Sequence, residues 1–194
     1  KVWSGDDAFA AIRPEITVNL YHYIADSEIS DRANLEQYAI EENKVGTVIL
    51  GGNKWEHTFT GVTPTYEENG EIKQYFFFIK EETAVNGYSV NYSKGEFNTL
   101  IVTNTLEPIS VEAEKIWSNP EEIEASFPDS VKLKLQVQDG TQWIDVPNKF
   151  VVVDSSTGWK GTIDGLIAGH NYRLTEDSVP GWSWTSRVQT VNAT

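Results

Sequence analysis

Val111-Glu112-Ala113-Glu114-Lys115-Ile116-Trp117 alternates apolar and acidic residues until Lys115 takes a place that should be apolar. In a strand, residues two apart share a face. Val111, Ala113, Lys115 and Trp117 therefore lie on one side, and Glu112 and Glu114 on the other. The amine is on the core side. The same device opens the chain, where Lys1-Val2-Trp3 stands 114 positions before Lys115-Ile116-Trp117.

Further matches follow in the same order. Pro14 answers Pro128, again 114 apart, and Trp55 to Val62 answers Trp159 to Leu166 at 104. Phe77-Phe78-Ile79-Lys80-Glu81 answers Tyr172-Arg173-Leu174-Thr175-Glu176 at 95. Gly87-Tyr88 answers Gly181-Trp182, and Asn104 answers Asn192. The offset only shrinks, so the first copy carries the longer loops, one of them between Tyr21 and Trp55. Two copies of one fold account for this order. The division is expected in Leu106-Glu107-Pro108-Ile109, giving repeats over 1–107 and 108–194. So short a linker, stiffened by proline, suggests restricted bending between domains in line.

The runs 16–21, 131–137 and 149–153 are rich in Val, Ile, Thr, Tyr and Phe and are bounded by Gly, Asn and Asp. That is strand-and-turn chemistry, and the fold class is all-β. A helix is plausible only over 30–40, as a loop decoration.

With 194 residues, 39% hydrophobic and 12% aromatic, the chain can bury a core in each half. A net charge of −14 disfavours both nucleic acid and anionic membrane as partners. There is no cysteine, which removes disulfides, thiolate metal sites and thiol nucleophiles together. Nothing calls for a cofactor or a metal. No signal peptide or membrane-spanning run is present, and the abrupt start inside a strand-like pattern is read as an internal piece of a longer protein.

Three polar groups fall on apolar faces in each repeat: Lys1, Glu81 and Asn104, then Lys115, Glu176 and Asn192. Glu81 follows Phe77 and Ile79 in parity, Asn104 follows Val102, Glu176 follows Tyr172 and Leu174, and Asn192 follows Val188 and Thr190. Because Glu81 is followed by Glu82, the latter stays open as the acid of the first repeat. Charges in a dry interior are costly and are suppressed unless paired. The expectation is a neutral amine and a protonated acid beside a carboxamide. Such an amine is a nucleophile, and the acid can polarise the amide carbonyl and pass protons to the leaving nitrogen. Held in attack geometry, the set can form a Lys–Asn isopeptide bond with loss of ammonia. The plainer alternative is a buried Lys–Glu ion pair that only hydrogen-bonds the asparagine.

The ordered set of Lys-x-Trp, Arg13-Pro14 before a strand, Trp55-x-x-Thr58-Phe59, aromatic-x-aliphatic-x-Glu, Gly-aromatic and Val102-Thr103-Asn104-Thr105 resembles the collagen-adhesin B-type (Cna B-type) repeat of Gram-positive surface proteins. The resemblance covers essentially the whole chain, once per repeat. It implies tandem inverse-immunoglobulin, transthyretin-like β-sandwiches serving as stalk modules of a cell-wall-anchored, extracellular adhesin or pilus protein. It also implies that Lys1 is bonded to Asn104 and Lys115 to Asn192, with Glu81 and Glu176 as catalysts. The implied partners are neighbouring domains of the same surface protein, with a host extracellular-matrix or cell-surface ligand open for the parent. The second repeat departs from the pattern with Phe127-Pro128 in place of Arg-Pro.

Two rival functions draw on the same composition. Seven tryptophans and many acids suit a carbohydrate-binding or ligand-binding adhesive module that uses exposed aromatics, but Trp3 matches Trp117, Trp55 matches Trp159 and Trp182 matches Tyr88, which reads as repeated core. Only Trp143 and Trp184 lack counterparts. A hydrolase would need a convergent set, yet His22, His57 and His170 sit in unrelated contexts. Asp6-Asp7 and Glu67-Glu68 lack calcium-loop spacing and read as solvated turns. Asn91-Tyr92-Ser93 matches a glycosylation acceptor, idle in a bacterial protein.

Overall fold

Ile16–Tyr23 (β2) is the strand on which the first repeat is built, and almost all of it is buried. It pairs antiparallel with Lys44–Leu50 (β3) and with Phe76–Glu81 (β6), where Val18 stands opposite Glu81. The facing sheet consists of Val2–Ser4 (β1), Leu100–Leu106 (β8) and Tyr88–Lys94 (β7), with β8 in the middle. β1 and β8 run parallel, in the register Val2 to Thr103, Trp3 to Asn104 and Ser4 to Thr105. Thr65–Glu68 (β4) and Glu71–Gln74 (β5) make a separate hairpin.

Ile16, Val18, Leu20, Leu50 and Ile79 from one sheet meet Val102 from the other, with Trp3, Trp55 and Phe59 packed around them. Each such side chain contributes about 1.5–3 kcal/mol by leaving water. The opposite face of β2 and β6 presents Tyr21, Tyr23 and Phe78. It is covered by the long insertion, whose Leu35 is buried among them. The helix expected over 30–40 is a single α-turn, Arg32–Leu35 (α1), continued by a 3-10 turn, Glu36–Tyr38. Asp31 caps α1 by accepting from the Ala33 N–H at 3.0 Å. This cover is why β2 is buried on both faces instead of alternating.

The structure is a computed structural model that describes residues 1–118 and 127–191. It separates into one unit of Lys1–Gly5 with Arg13–Thr105 and another of Asp6–Ile12 with Leu106–Thr194. The second unit has Ile109–Glu114 (β9) paired with Lys160–Leu166 (β12). Its larger sheet joins Ser130–Asp139 (β10), Gln142–Asp154 (β11), His170–Glu176 (β13) and Gln189–Val191 (β14), in the order β11-β10-β13-β14. Ala113, Val131, Leu133 and Val153 form its core, with Trp117, Trp159 and Leu174 against them.

Paired glycines bear out the internal repeat. Gly61 and Gly165 have φ of 72° and 71°, and Gly87 and Gly181 have 81° and 80°. These are left-handed conformations that favour glycine. After the second pair, the Tyr88 N–H donates to Val85 O at 3.2 Å and the Trp182 N–H to Val179 O at 3.0 Å.

Two expectations need correction. Asp6 is not in a solvated turn but is 1% exposed in the second unit, where its carbonyl accepts from the Phe9 N–H at 2.8 Å. It begins a 3-10 turn, Asp7–Ile12, that drives Phe9 against Tyr172 at 6.4 Å between ring centres. Nor do Val188 and Thr190 face inward: Val188 is 57% exposed, Thr190 is exposed, and Val191 is buried opposite His170. Val188 and Val191 are three apart and so fall on opposite faces of a strand; β14 buries the latter. Asn192 itself lies outside the described residues.

Candidate functional site

Alternation along β6 turns Ile79 and Glu81 inward, whereas Glu82 is exposed and its N–H completes the ladder to Thr17 O at 2.9 Å. Alternation along β8 likewise buries Val102 and Asn104. Lys1 is held at the head of β1 by its main-chain nitrogen, which donates to Trp55 O at 2.8 Å. These three elements bring three polar side chains to one point.

Lys1 Nζ donates to Glu81 Oε2 at 3.1 Å, and Asn104 Nδ2 donates to Glu81 Oε1 at 3.0 Å. The Lys1 and Glu81 side chains are 0% and 3% exposed, and Asn104 is 1% exposed. One carboxylate thus bridges an amine and a carboxamide out of reach of water. Among the described residues Asn104 Oδ1 is buried without a hydrogen-bond partner. An orphaned buried carbonyl costs roughly 1–3 kcal/mol.

The second repeat reproduces the amine and the acid. The Lys115 N–H donates to Trp159 O at 2.9 Å, and Lys115 Nζ lies 2.8 Å from Glu176 Oε1. The side chains are 11% and 5% exposed, because they line a cleft of about 580 Å³ with Leu133, Trp182 and Val191. Among the described residues β9 pairs with β12 alone, and β14 lies at the His170 end of β13, away from Glu176.

Around both amines the aromatic frame is the same. Lys1 Nζ is 4.5 Å from the centre of the Trp3 ring, and Lys115 Nζ is 4.5 Å from that of Trp117. Trp3 meets Trp55 and Tyr88 edge to face at 5.5 and 5.1 Å. Trp117 meets Trp159 and Trp182 in the same way at 5.2 and 4.8 Å. The departure at the proline motif keeps the contact: Arg13 lies over Trp3 at 5.8 Å, and Phe127 packs on Trp117 at 5.2 Å. A cation face and a ring edge serve the same indole.

The family model for the Cna protein B-type domain matches residues 1–105 and again 111–194. The chain belongs to the Cna B-type domain family. Over 145 residues it is 30% identical to the collagen adhesin of Staphylococcus aureus, a match that takes in 71% of this chain and 11% of that protein. Among solved structures it is similar to the two B repeat units (B1B2) of the collagen binding protein of S. aureus. There it shares 28% identity over 91% of this chain and 43% of that one, with a TM-score of 0.37. For the single B repeat unit (B1) the values are 21%, 94%, 86% and 0.35. The two B-type domains here are the two sequence repeats.

Among the described residues no helix is long and apolar enough to cross a membrane. His22 stacks on Tyr75 at 4.2 Å and His57 meets Phe59 at 4.6 Å, so each packs on its own aromatic neighbour. Two residues beside the first site, Arg32 and Tyr92, give no sign of their place in the sequence. Arg32 belongs to an insertion with no counterpart, and Tyr92 stands out there only as the middle of an acceptor triplet.

Proposed function

We propose that this chain is a stalk or spacer segment of a cell-wall-anchored bacterial surface adhesin or pilus protein, and that each domain ties its first strand to its last through a self-formed Lys–Asn isopeptide bond. Its chemistry is single-turnover: Lys1 Nζ attacks Asn104 Cγ, the Nζ–Cγ bond forms, the Cγ–Nδ2 bond breaks, and Nδ2 leaves as ammonia. Glu81 relays a proton from the amine to the leaving nitrogen. Lys115, Glu176 and Asn192 take the same roles in the second domain.

The observation that carries this reading is the shared carboxylate, with Lys1 at 3.1 Å and Asn104 at 3.0 Å in a dry interior. The unpartnered Oδ1 of Asn104 supports it, since a fully satisfied ion-pair site would leave no such atom. The closures would enclose 104 residues (1–104) and 78 residues (115–192). By the entropy of loop closure each is worth about 4.5 kcal/mol. Tension entering one end of a domain would pass through the covalent bond to the other, which suits a module under load. Neighbouring domains of the same surface protein are the partners this assigns; a host extracellular-matrix ligand would belong to the parent protein.

Intact mass spectrometry of the purified chain tests the reading. Two completed bonds give a mass two ammonias below the sequence mass, and tandem spectra of a digest place them at Lys1–Asn104 and Lys115–Asn192. A mass equal to the sequence mass rejects the bonds.

A further inference from the structure

Among the described residues β6 is an edge strand of its sheet, so one side of its backbone has no ladder partner there. The Glu82 N–H points to β2, donating to Thr17 O at 2.9 Å. Neighbouring residues of a strand point their N–H groups in opposite directions, so the N–H of Glu81 and the carbonyl of Ile79 both lie on the open side. Each of these two groups is met by a side chain. Glu81 N donates to the hydroxyl of Tyr92 at 3.0 Å, and Arg32 Nη1 donates to Ile79 O at 2.9 Å.

The two clamping side chains are joined to each other. The Arg32 guanidinium sits 3.9 Å from the centre of the Tyr92 ring and 5.2 Å from that of Phe78. Arg32 is further tied to Glu36 Oε1 at 3.1 Å, within the insertion. Tyr92 comes from β7, a strand of the facing sheet next to β8 and hence to Asn104. Burial raises the Tyr92 phenol above its ordinary value, so the hydroxyl is retained at neutral pH. In the second repeat the side-chain contact falls two residues earlier, where the N–H of Leu174, the counterpart of Ile79, donates to Ser186 Oγ at 3.1 Å.

We infer that Tyr92, backed by Arg32, is a positioning residue for the first isopeptide bond: its hydroxyl fixes the Glu81 main chain on an otherwise free strand edge, and so aims the Glu81 carboxyl between Lys1 and Asn104. This rests on the bond-forming reading above. An edge strand free to slide or fray by a fraction of an ångström would spread that carboxyl over several placements. Proximity catalysis falls steeply with such misplacement. The insertion thereby serves the site, because it delivers the arginine that stiffens the edge.

The full chain and its Tyr92→Phe variant are synthesised in a cell-free reaction, and ammonia loss at Lys1–Asn104 is followed by mass spectrometry of timed samples. Tyr92→Phe should lengthen the half-time roughly fivefold or more, the rate equivalent of one neutral hydrogen bond. The Glu81 amide proton resonance should also move, a signature that a loss of bulk stability would not give. Ammonia loss at Lys115–Asn192 in the same samples should keep its half-time. Should Tyr92→Phe not fold, Arg32→Met is read in the same way. An unchanged half-time, or a slowed one with the Glu81 resonance unmoved, overturns the inference while leaving the bond intact. No ammonia loss in the parent chain overturns the bond itself.

Discussion

Trp3 and Asn104 are register partners in the parallel ladder of β1 and β8. This pairing places the first and last strands of the domain side by side, with Lys1 two residues upstream on the Trp3 face. A slip by one residue would turn Asn104 outward and bring Thr103 or Thr105 to the carboxyl. The site therefore depends on strand register before it depends on any chemistry.

Removing Glu81 separates the roles of neighbouring acids. Glu81→Ala should restore one ammonia to the chain mass and lower the melting temperature of the first domain by roughly 20 °C or more, from the lost closure alone. Burying Lys1 without its partner adds to that loss. Glu82→Ala, at an exposed position, should leave the ammonia count unchanged and stability within about 0.5 kcal/mol. Mass spectrometry and calorimetry on the two variants check both outcomes, and the reverse assignment would show as ammonia restored only in Glu82→Ala.

Phe9 is 2% exposed and packs on Tyr172 in the second unit, although it precedes β2 in sequence. Phe9→Ala should destabilise that unit by about 3–5 kcal/mol, the usual cost of emptying a buried phenylalanine site. Denaturant unfolding followed by amide exchange should find lowered protection in β10 and β13. Loss confined to β2 and β6 would contradict the placement.

Tyr172 donates its hydroxyl to Ile167 O at 2.9 Å and accepts from the Ile167 N–H at 3.0 Å, and it is 2% exposed. Burial pushes the phenol up to about 12 from its ordinary value of 10.0. The unfolded chain ionises first, so this contribution is complete below pH 10 and is lost as pH rises toward 12. The loss amounts to roughly 2–3 kcal/mol. Urea unfolding across that range should show it, and Tyr172→Phe should flatten the slope while lowering stability at neutral pH.

On the acid side, burial lowers His170 below its ordinary value, with Asp139 opposing. The folded state resists a proton that the unfolded state accepts near pH 6.5, so stability is complete above that value and falls as pH drops below it. His170→Gln should remove this slope in urea unfolding between about pH 5 and 8. A slope that persists unchanged would assign the effect to other groups.

Local alternation was enough to read the strands, the repeat and the inward parity of Lys1, Glu81, Asn104, Lys115 and Glu176. Period-two patterning is a property of the chain itself, and a charged residue on the apolar side stands out without any partner being known. It failed at 188–191, where two valines three apart offered two incompatible parities. Only tertiary structure chose Val191, through pairing with His170. Tertiary structure alone likewise put Asp6–Ile12 in the second unit and set Arg32 and Tyr92 on the open edge of β6. Which backbone groups a strand leaves unpaired, and which distant side chains reach them, depends on strand order. That order is fixed by non-local packing and leaves no periodic trace in sequence.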